Sequence, residues 1–230
     1  SEHFEERLSS AEGLLRAMIS CCKIQRPIAL AVDEWNVWYR AGVQEQLEER
    51  YNLEDALVVA MQLNAFIRHA RWVKMANLAQ IVNVIAPILT TTDSLVRQTI
   101  FYPFQLFRRY ARGQSLDLLV DSPRYEAKTY GETPLLDGSA SYDAANDQQS
   151  IFLVNRSASE PLWVDVFWQG AAPQRIESII QLGGADAKTA NTFAQQDAVT
   201  PRLLPGLPIQ DGRVSLELPP LSFTVALARA

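Results

Sequence analysis

The run Asp33-Glu34-Trp35-Asn36-Val37-Trp38-Tyr39 sets carboxylates and two indoles where an apolar stretch, Pro27-Ile28-Ala29-Leu30-Ala31-Val32, comes to its end. An ionisable side chain at the carboxyl end of a buried strand is a candidate catalytic group, because burial and neighbouring charge can tune its proton affinity. The same placement also suits a carboxylate that only hydrogen-bonds a neighbouring loop, and the residues alone leave both readings open. The stretch before it is short, led by proline and free of charge, which predicts a fully buried parallel strand. Alternation puts Ile28, Leu30, Val32 and Glu34 on one face and Ala29, Ala31 and Asp33 on the other. If bulky residues fill a barrel and small ones admit helices outside it, Glu34 points inward and Asp33 faces the helices in a structural role. Trp35 reads as core.

The elements that must position Glu34 follow from periodicity. Phe4, Leu8, Ala11, Leu15, Met18 and Cys22 recur at three- and four-residue intervals and predict an amphipathic helix leading into the strand. A polar loop, Ala41 to Arg50, contains Glu45, Glu48 and Glu49, a solvated acidic run. A second helix is predicted from Leu53 to Ala70, with Asn52 as N-cap and Glu54 and Asp55 complementing the helix dipole. A second apolar run, Trp72 to Ala79, ends at Gln80. A third helix is predicted from Leu95 to Tyr110 with Phe101, Tyr102, Phe104 and Phe107 on its buried side, kinked or shortened by Pro103. Two strands with their helices make a quarter of an eight-stranded barrel and cannot close one, so the remaining strands are expected from a second polypeptide or from the rest of a longer chain.

From Leu116 onward the texture becomes β-rich. Strands are predicted at 116–120, 124–130, 151–155, 162–168, 175–182, 214–218 and 223–227, with Asp137-Gly138, Gly183-Gly184 and Asp211-Gly212 as turns. This is the pattern of a β-sandwich. The stretch from Ala185 to Leu207 reads as a long solvated excursion. Trp163 and Trp168 stand five residues apart, hence on opposite faces, and cannot form one flat platform of the kind a carbohydrate-binding module uses.

A net charge of −5 with signs interspersed offers no basic stripe for a phosphate backbone, which argues against a nucleic-acid partner. No apolar run reaches the roughly twenty residues of a membrane helix, so no membrane partner is expected. Cys21 and Cys22 are adjacent and imply no disulfide framework; they read as buried or inert thiols ending a helix. His3 and His69 lie at no metal-ligand spacing from Cys or carboxylate, so neither a metal nor any cofactor is called for.

Three ordered motifs are similar to a known family. Asp33 to Tyr39, then Tyr51-Asn52-Leu53-Glu54-Asp55-Ala56-Leu57, then the segment from Leu78 to Ile88, closely resemble the α-L-arabinofuranosidases of glycoside hydrolase family 51. The likeness extends through Gln98 to Phe104 and into Phe152-Leu153-Val154-Asn155-Arg156. The resemblance implies the last two strands of a (β/α)8 barrel over residues 1–113, followed by a jelly-roll-like β-sandwich over 114–230. It implies retaining, exo-acting release of terminal arabinofuranosyl groups from arabinoxylan, arabinan and their oligosaccharides. Glu34 would be the nucleophile and Gln80 a ligand of the arabinose, with Trp38 placed either to stack on a sugar or to pack under the loop. The acid/base glutamate would come from an amino-terminal barrel segment absent from these residues. The resemblance also implies a homo-oligomer, often a hexamer, and a cytoplasmic setting. Two alternatives stay open: a family member acting on another glycoside such as a β-glucan, and a non-catalytic subunit or fragment serving assembly.

Overall fold

The computed structural model describes residues 2–39 and 49–229. Glu45, Glu48 and most of the predicted polar loop lie outside them. In chain order the elements are α1 (Glu2–Cys21), β1 (Leu30–Trp35), α2 (Leu53–Arg68), β2 (Val73–Leu78), β3 (Ile88–Thr90), β4 (Leu95–Arg97), α3 (Phe101–Tyr110), β5 (Gln114–Leu116), β6 (Arg124–Ala127) and β7 (Gly131–Pro134). Next come β8 (Leu136–Asp143), β9 (Gln148–Asn155), β10 (Leu162–Phe167), β11 (Arg175–Gly183), β12 (Arg202–Pro208), β13 (Arg213–Leu218) and β14 (Ser222–Arg229). The architecture is mostly β and sandwich-like, with few helices.

A six-stranded antiparallel sheet, in the order β12-β11-β14-β9-β8-β5, is its centre. One face is covered by the antiparallel pair β10-β13, whose Val214, Leu216 and Leu218 meet Ile151, Leu153, Ile176 and Ala226. The other face is covered by α2 and α3. There Phe107 stacks on Phe152 and Phe223 at ring separations of 4.2 and 5.6 Å, among Leu57, Met61, Val154 and Val225. Burying each such side chain contributes about 1.5–3 kcal/mol. With a layer on each side, β9 and β14 are buried along nearly their whole length, including the apolar runs Ile151–Val154 and Val225–Ala228.

Helix α2 starts where Asn52 Oδ1 accepts from the Asp55 amide (3.3 Å), the N-cap expected, and Asp55 Oδ2 in return accepts from the Asn52 amide (2.8 Å), a reciprocal cap beyond that expectation. One of its faces lies on the sheet. The opposite face, with Val59, Ala65 and Phe66, packs under β1 and β2.

Several expectations are corrected. Leu95–Arg97 is a strand paired with Ile88–Thr90, not helix, and α3 begins at Phe101. Pro103 falls in the first turn of α3, where an amide would have no intrahelical acceptor, so it is tolerated there. Phe104 is 37% exposed rather than buried. Cys21 and Cys22 are exposed on the end of α1. Asp137-Gly138 is not a turn but the interior of β8, paired with Val154 and Leu153. The carboxylate is buried because Arg68 and Arg156 reach its Oδ2 at 3.3 and 3.2 Å and Asn64 donates to its Oδ1 at 2.6 Å. Gly138 serves close packing: a Cβ there would stand 3.0 Å from Leu153 Cδ2. The predicted excursion contains a strand, β12, and buries Asn191 and Val199.

The Asp137 cluster joins the helices to the sandwich. Arg68 also pairs with Glu5 (2.7 Å) and Arg156 with Glu2 (2.7 Å), both on α1, while His69 lies 3.0 Å from carboxylate oxygens of Glu5 and Glu12. Removing one partner from a buried, hydrogen-bonded pair costs about 3–5 kcal/mol, since the other charges stay buried. Asp137→Ala is therefore expected to lower stability by about 3 kcal/mol, read from its urea unfolding midpoint at unchanged slope. Burial raises the proton affinity of Glu5, but the bonds and charges of Arg68 and His69 outweigh it, and its pKa falls below the ordinary 4.5. A carboxyl depressed in the folded state stabilises fully above its unfolded pKa and stops doing so as pH falls through the folded value. Glu5→Gln should therefore unfold less steeply with acid below pH ~4.5 than the parent; parallel melting-temperature curves down to pH ~3 would refute this.

Candidate active site

Glu34 comes from β1, which pairs in parallel with β2 in the register Leu30↔Val73, Ala31↔Met75, Val32↔Ala76 and Trp35↔Leu78. Between the last two pairs β1 advances three residues against two of β2. That bulge breaks the alternation on which the sequence reading relied. Leu30, Val32 and Trp35 consequently share one side, packed with Leu8 of α1, Phe66 of α2, and Val73, Ala76 and Leu78. Trp35 is 5% exposed and meets Phe66 edge-on at 5.2 Å. Ala31, Asp33 and Glu34 are exposed, as are Met75 and Asn77 on β2.

The side expected of Leu30, Val32 and Ala31 is reversed, since the two bulky residues meet the helices and Ala31 looks out, whereas Glu34 stays on the side away from the helices. Asp33 does not face the helices. The strand also begins at Leu30 rather than Pro27 and is buried on one side only. Glu34 is open to solvent at the carboxyl end of its strand because of the bulge, a feature that alternation does not reveal.

Gln80 stands two residues beyond β2 and is likewise exposed. One residue that sequence reasoning passed over ties the two strand ends together. Asn36 donates from Nδ2 to the carbonyls of Ala79 (2.8 Å) and Ile85 (2.5 Å), and its Oδ1 accepts from the Val37 amide (2.8 Å). The Ala79 amide donates to the Trp35 carbonyl at 3.2 Å and that of Gln80 to the Ile85 carbonyl at 3.3 Å. Glu34 and Gln80 therefore project from adjacent strand ends whose backbones are fastened by one amide side chain. An Asn two residues after the carboxylate was the available signal, since bridging two carbonyls needs a two-proton donor.

The segment beyond Glu34 has further anchors. Tyr51 Oη donates to the Val37 carbonyl (2.7 Å), and Tyr39 Oη donates to Asp55 Oδ1. Burial, then the bond to Asp55, pushes the Tyr39 hydroxyl well above its ordinary pKa; burial, with Glu49 and Asp55 nearby, does the same for Tyr51. Both remain protonated donors across the physiological range. Burial also raises the Asp55 carboxyl, partly offset by the bonds it accepts from Tyr39 and Asn52. Trp38, between these anchors, is 52% exposed and Tyr39 46%. Glu34, Gln80 and Trp38 are thus each exposed, on backbone that is anchored at or near each of them.

Residues 33–222 match the model of the α-L-arabinofuranosidase C-terminal domain. The chain belongs to the α-L-arabinofuranosidases of glycoside hydrolase family 51. It is 38% identical over 232 residues to an intracellular exo-α-(1→5)-L-arabinofuranosidase of Streptomyces lividans, covering 92% of this chain and 35% of that protein. An enzyme so named from Bacillus subtilis strain 168 is 31% identical over 236 residues, covering 97% of this chain and 46% of the other. Among solved structures, the arabinose complex of the Thermotoga maritima α-L-arabinofuranosidase superposes with a TM-score of 0.85 at 26% identity, covering 98% of this chain and 48% of that one. A family 51 enzyme from Bifidobacterium longum gives 0.81 at 27%, covering 98% and 49%. This family 51 chain thus spans between about a third and a half of the length of these four relatives.

Replacing Asn36 with Ala leaves the Ala79 and Ile85 carbonyls short of a donor, at a cost of about 1–3 kcal/mol. The expected result for Asn36→Ala is a loss of that size in chemical denaturation together with altered proteolytic susceptibility of the 79–85 loop; an unchanged loop and midpoint would remove Asn36 from this role.

Proposed function

We propose that this chain supplies the nucleophile of a retaining, exo-acting α-L-arabinofuranosidase that removes terminal arabinofuranosyl groups from arabinan, arabinoxylan and their oligosaccharides. The observation carrying this reading is the exposed Glu34 at the end of a parallel strand, fastened by Asn36 to the neighbouring strand end that bears Gln80. In a (β/α) barrel the carboxyl ends of the strands carry the chemistry. On this reading residues 1–113 are the last barrel strands with their helices and 114–230 are the sandwich, and the open face of β1 and β2 lines the barrel interior.

Retention requires two carboxyl groups about 5–5.5 Å apart, one attacking the anomeric carbon and the other protonating the leaving oxygen and later activating water. Glu34 attacks as the carboxylate, forming a glycosyl ester as the bond to the leaving oxygen breaks. Its partner, from an amino-terminal barrel segment, gives that oxygen a proton and then takes one from water as the ester is hydrolysed. Gln80 hydrogen-bonds the arabinose and Trp38 stacks on a sugar face. The relatives named as intracellular support a cytoplasmic setting, and the family resemblance an oligomer, a hexamer by its common pattern.

The test uses the enzyme containing this chain together with its acid/base segment. Glu34→Gln should lower kcat for an aryl α-L-arabinofuranoside by at least about 10⁴-fold, with no covalent glycosyl adduct detected by intact mass, because a nucleophile cannot be replaced by its amide. Turnover within tenfold of the parent would dismiss Glu34 from the role. Gln80→Ala should weaken the same substrate by roughly 1–3 kcal/mol in kcat/KM, the range for a lost polar contact.

A further inference from the structure

Between β11 and β12 the chain leaves the sandwich and reaches the start of α2. Asp186 shapes a turn there: its Oδ1 accepts from the Lys188 amide (2.8 Å) and its carbonyl from the Thr189 amide (3.1 Å). The turn aims the Thr189 and Ala187 carbonyls at the amides of Leu53 and Glu54, which donate to them at 2.9 and 3.0 Å. These are amides that an α-helix cannot satisfy internally. Lys188 adds an ion pair to Glu54. Deeper in, Asn191, 3% exposed, donates to the Arg97 and Val199 carbonyls, each at 3.0 Å, and accepts from the Val199 amide at 2.8 Å.

The next residue after Arg97 carries the connection onward. Gln98, 1% exposed, accepts from the Tyr51 amide (2.9 Å) and donates to the carbonyls of Ala86 (2.7 Å) and Glu49 (3.1 Å). Tyr51 holds Val37, and Asp55, in the first turn that the sandwich completes, holds Tyr39. Two routes therefore run from the sandwich to residues 37–39, one through the start of α2 and one through Gln98, and both end just beyond Glu34.

We propose that the sandwich segment 184–200 is a positioning element for the substrate mouth: by completing the first turn of α2 and pinning Gln98, it holds Val37, Trp38 and Tyr39 where a sugar bound at Glu34 meets them. The effect on substrate rests on the function proposed above. The mechanical part does not, and it predicts that loosening this segment frees residues 36–39 whether or not the enzyme is assayed.

The test is hydrogen exchange on the intact enzyme carrying Asp186→Ala, a surface change that leaves the cores alone, with Asn191→Ala as a second, deeper variant. Exchange should quicken by about tenfold or more at Leu53, Glu54 and residues 36–39, while β9 and β14 keep parental protection. Quickening confined to 184–200 would overturn the proposal. In turnover of an aryl α-L-arabinofuranoside, Asp186→Ala should raise KM about 3–10-fold with kcat within about twofold, a split that a simple loss of folded enzyme does not produce. Tyr39→Phe in the Asp186→Ala background should add little further to KM, because both act on one linkage. Effects that multiply in full would also overturn it. If Glu34→Gln kept its activity, the catalytic reading would fail while the exchange result still decided the mechanical one.

Discussion

Helix α2 has to satisfy two cores at once, and the rest of the molecule is arranged around that demand. Eleven of its sixteen residues are buried, and only a helix apolar over most of its circumference can lie between two layers. Leu53, Leu57, Ala60 and Met61 close the central sheet, while Val59, Ala65 and Phe66 form the floor under β1 and β2. A displacement of this helix would be felt in the sandwich and at Glu34 alike, because close-packed interiors transmit strain rather than absorb it.

Polar contacts fix what apolar packing leaves adjustable. At the carboxyl end of α2, Asn64 and Arg68 meet the buried Asp137, with Arg156 completing the neutralisation and Glu2 and Glu5 drawing α1 onto the same cluster. At the amino end, Asn52, Asp55 and two sandwich carbonyls occupy the first amides of the helix. A largely buried charge array of this kind adds little net stability over an apolar equivalent, but loss of one partner is costly because the others stay desolvated. The helix is thereby held along its axis at both ends, which contact between aliphatic side chains would not accomplish.

The site inherits its geometry from these constraints. Glu34 is exposed because a bulge turns Trp35 into the helix-side core, and Trp35 is held there by Phe66 of α2. Asn36 then fastens the end of β1 to the loop after β2, while Tyr51 and Tyr39 fasten residues 37–39 to the start of α2. Side chains that must meet a transition state within fractions of an ångström are best carried on backbones with several independent anchors. The anchors here come from three different stretches of chain.

Local signals in the sequence were enough for α2, with its Asn52 cap, for the parallel pairing of the two apolar runs, and for the strands of the sandwich with clean alternation. They also singled out Glu34 and Gln80 as strand-end groups and, through three ordered motifs, indicated the family. Each of these rests on periodicity, capping or residue order, which neighbouring residues specify by themselves. The expectations that failed depended on pairing partners and irregularities that periodicity does not register. Asp137-Gly138 has the composition of a turn, and only Arg68 and Arg156, 69 and 19 residues away, make it a strand interior. Leu95–Arg97 became a strand because Ile88–Thr90 was there to pair with it. Leu30 and Val32 were placed on the wrong side because bulk was taken to mark a barrel interior, whereas here it meets Leu8 and Phe66 of the helices; the bulge after Val32 then parts Glu34 from them, and nothing in an apolar run announces one. The candidate side chains, Glu34 and Gln80, were legible in the sequence; which way they point, and what holds them there, was decided by contacts that form only when the chain has folded.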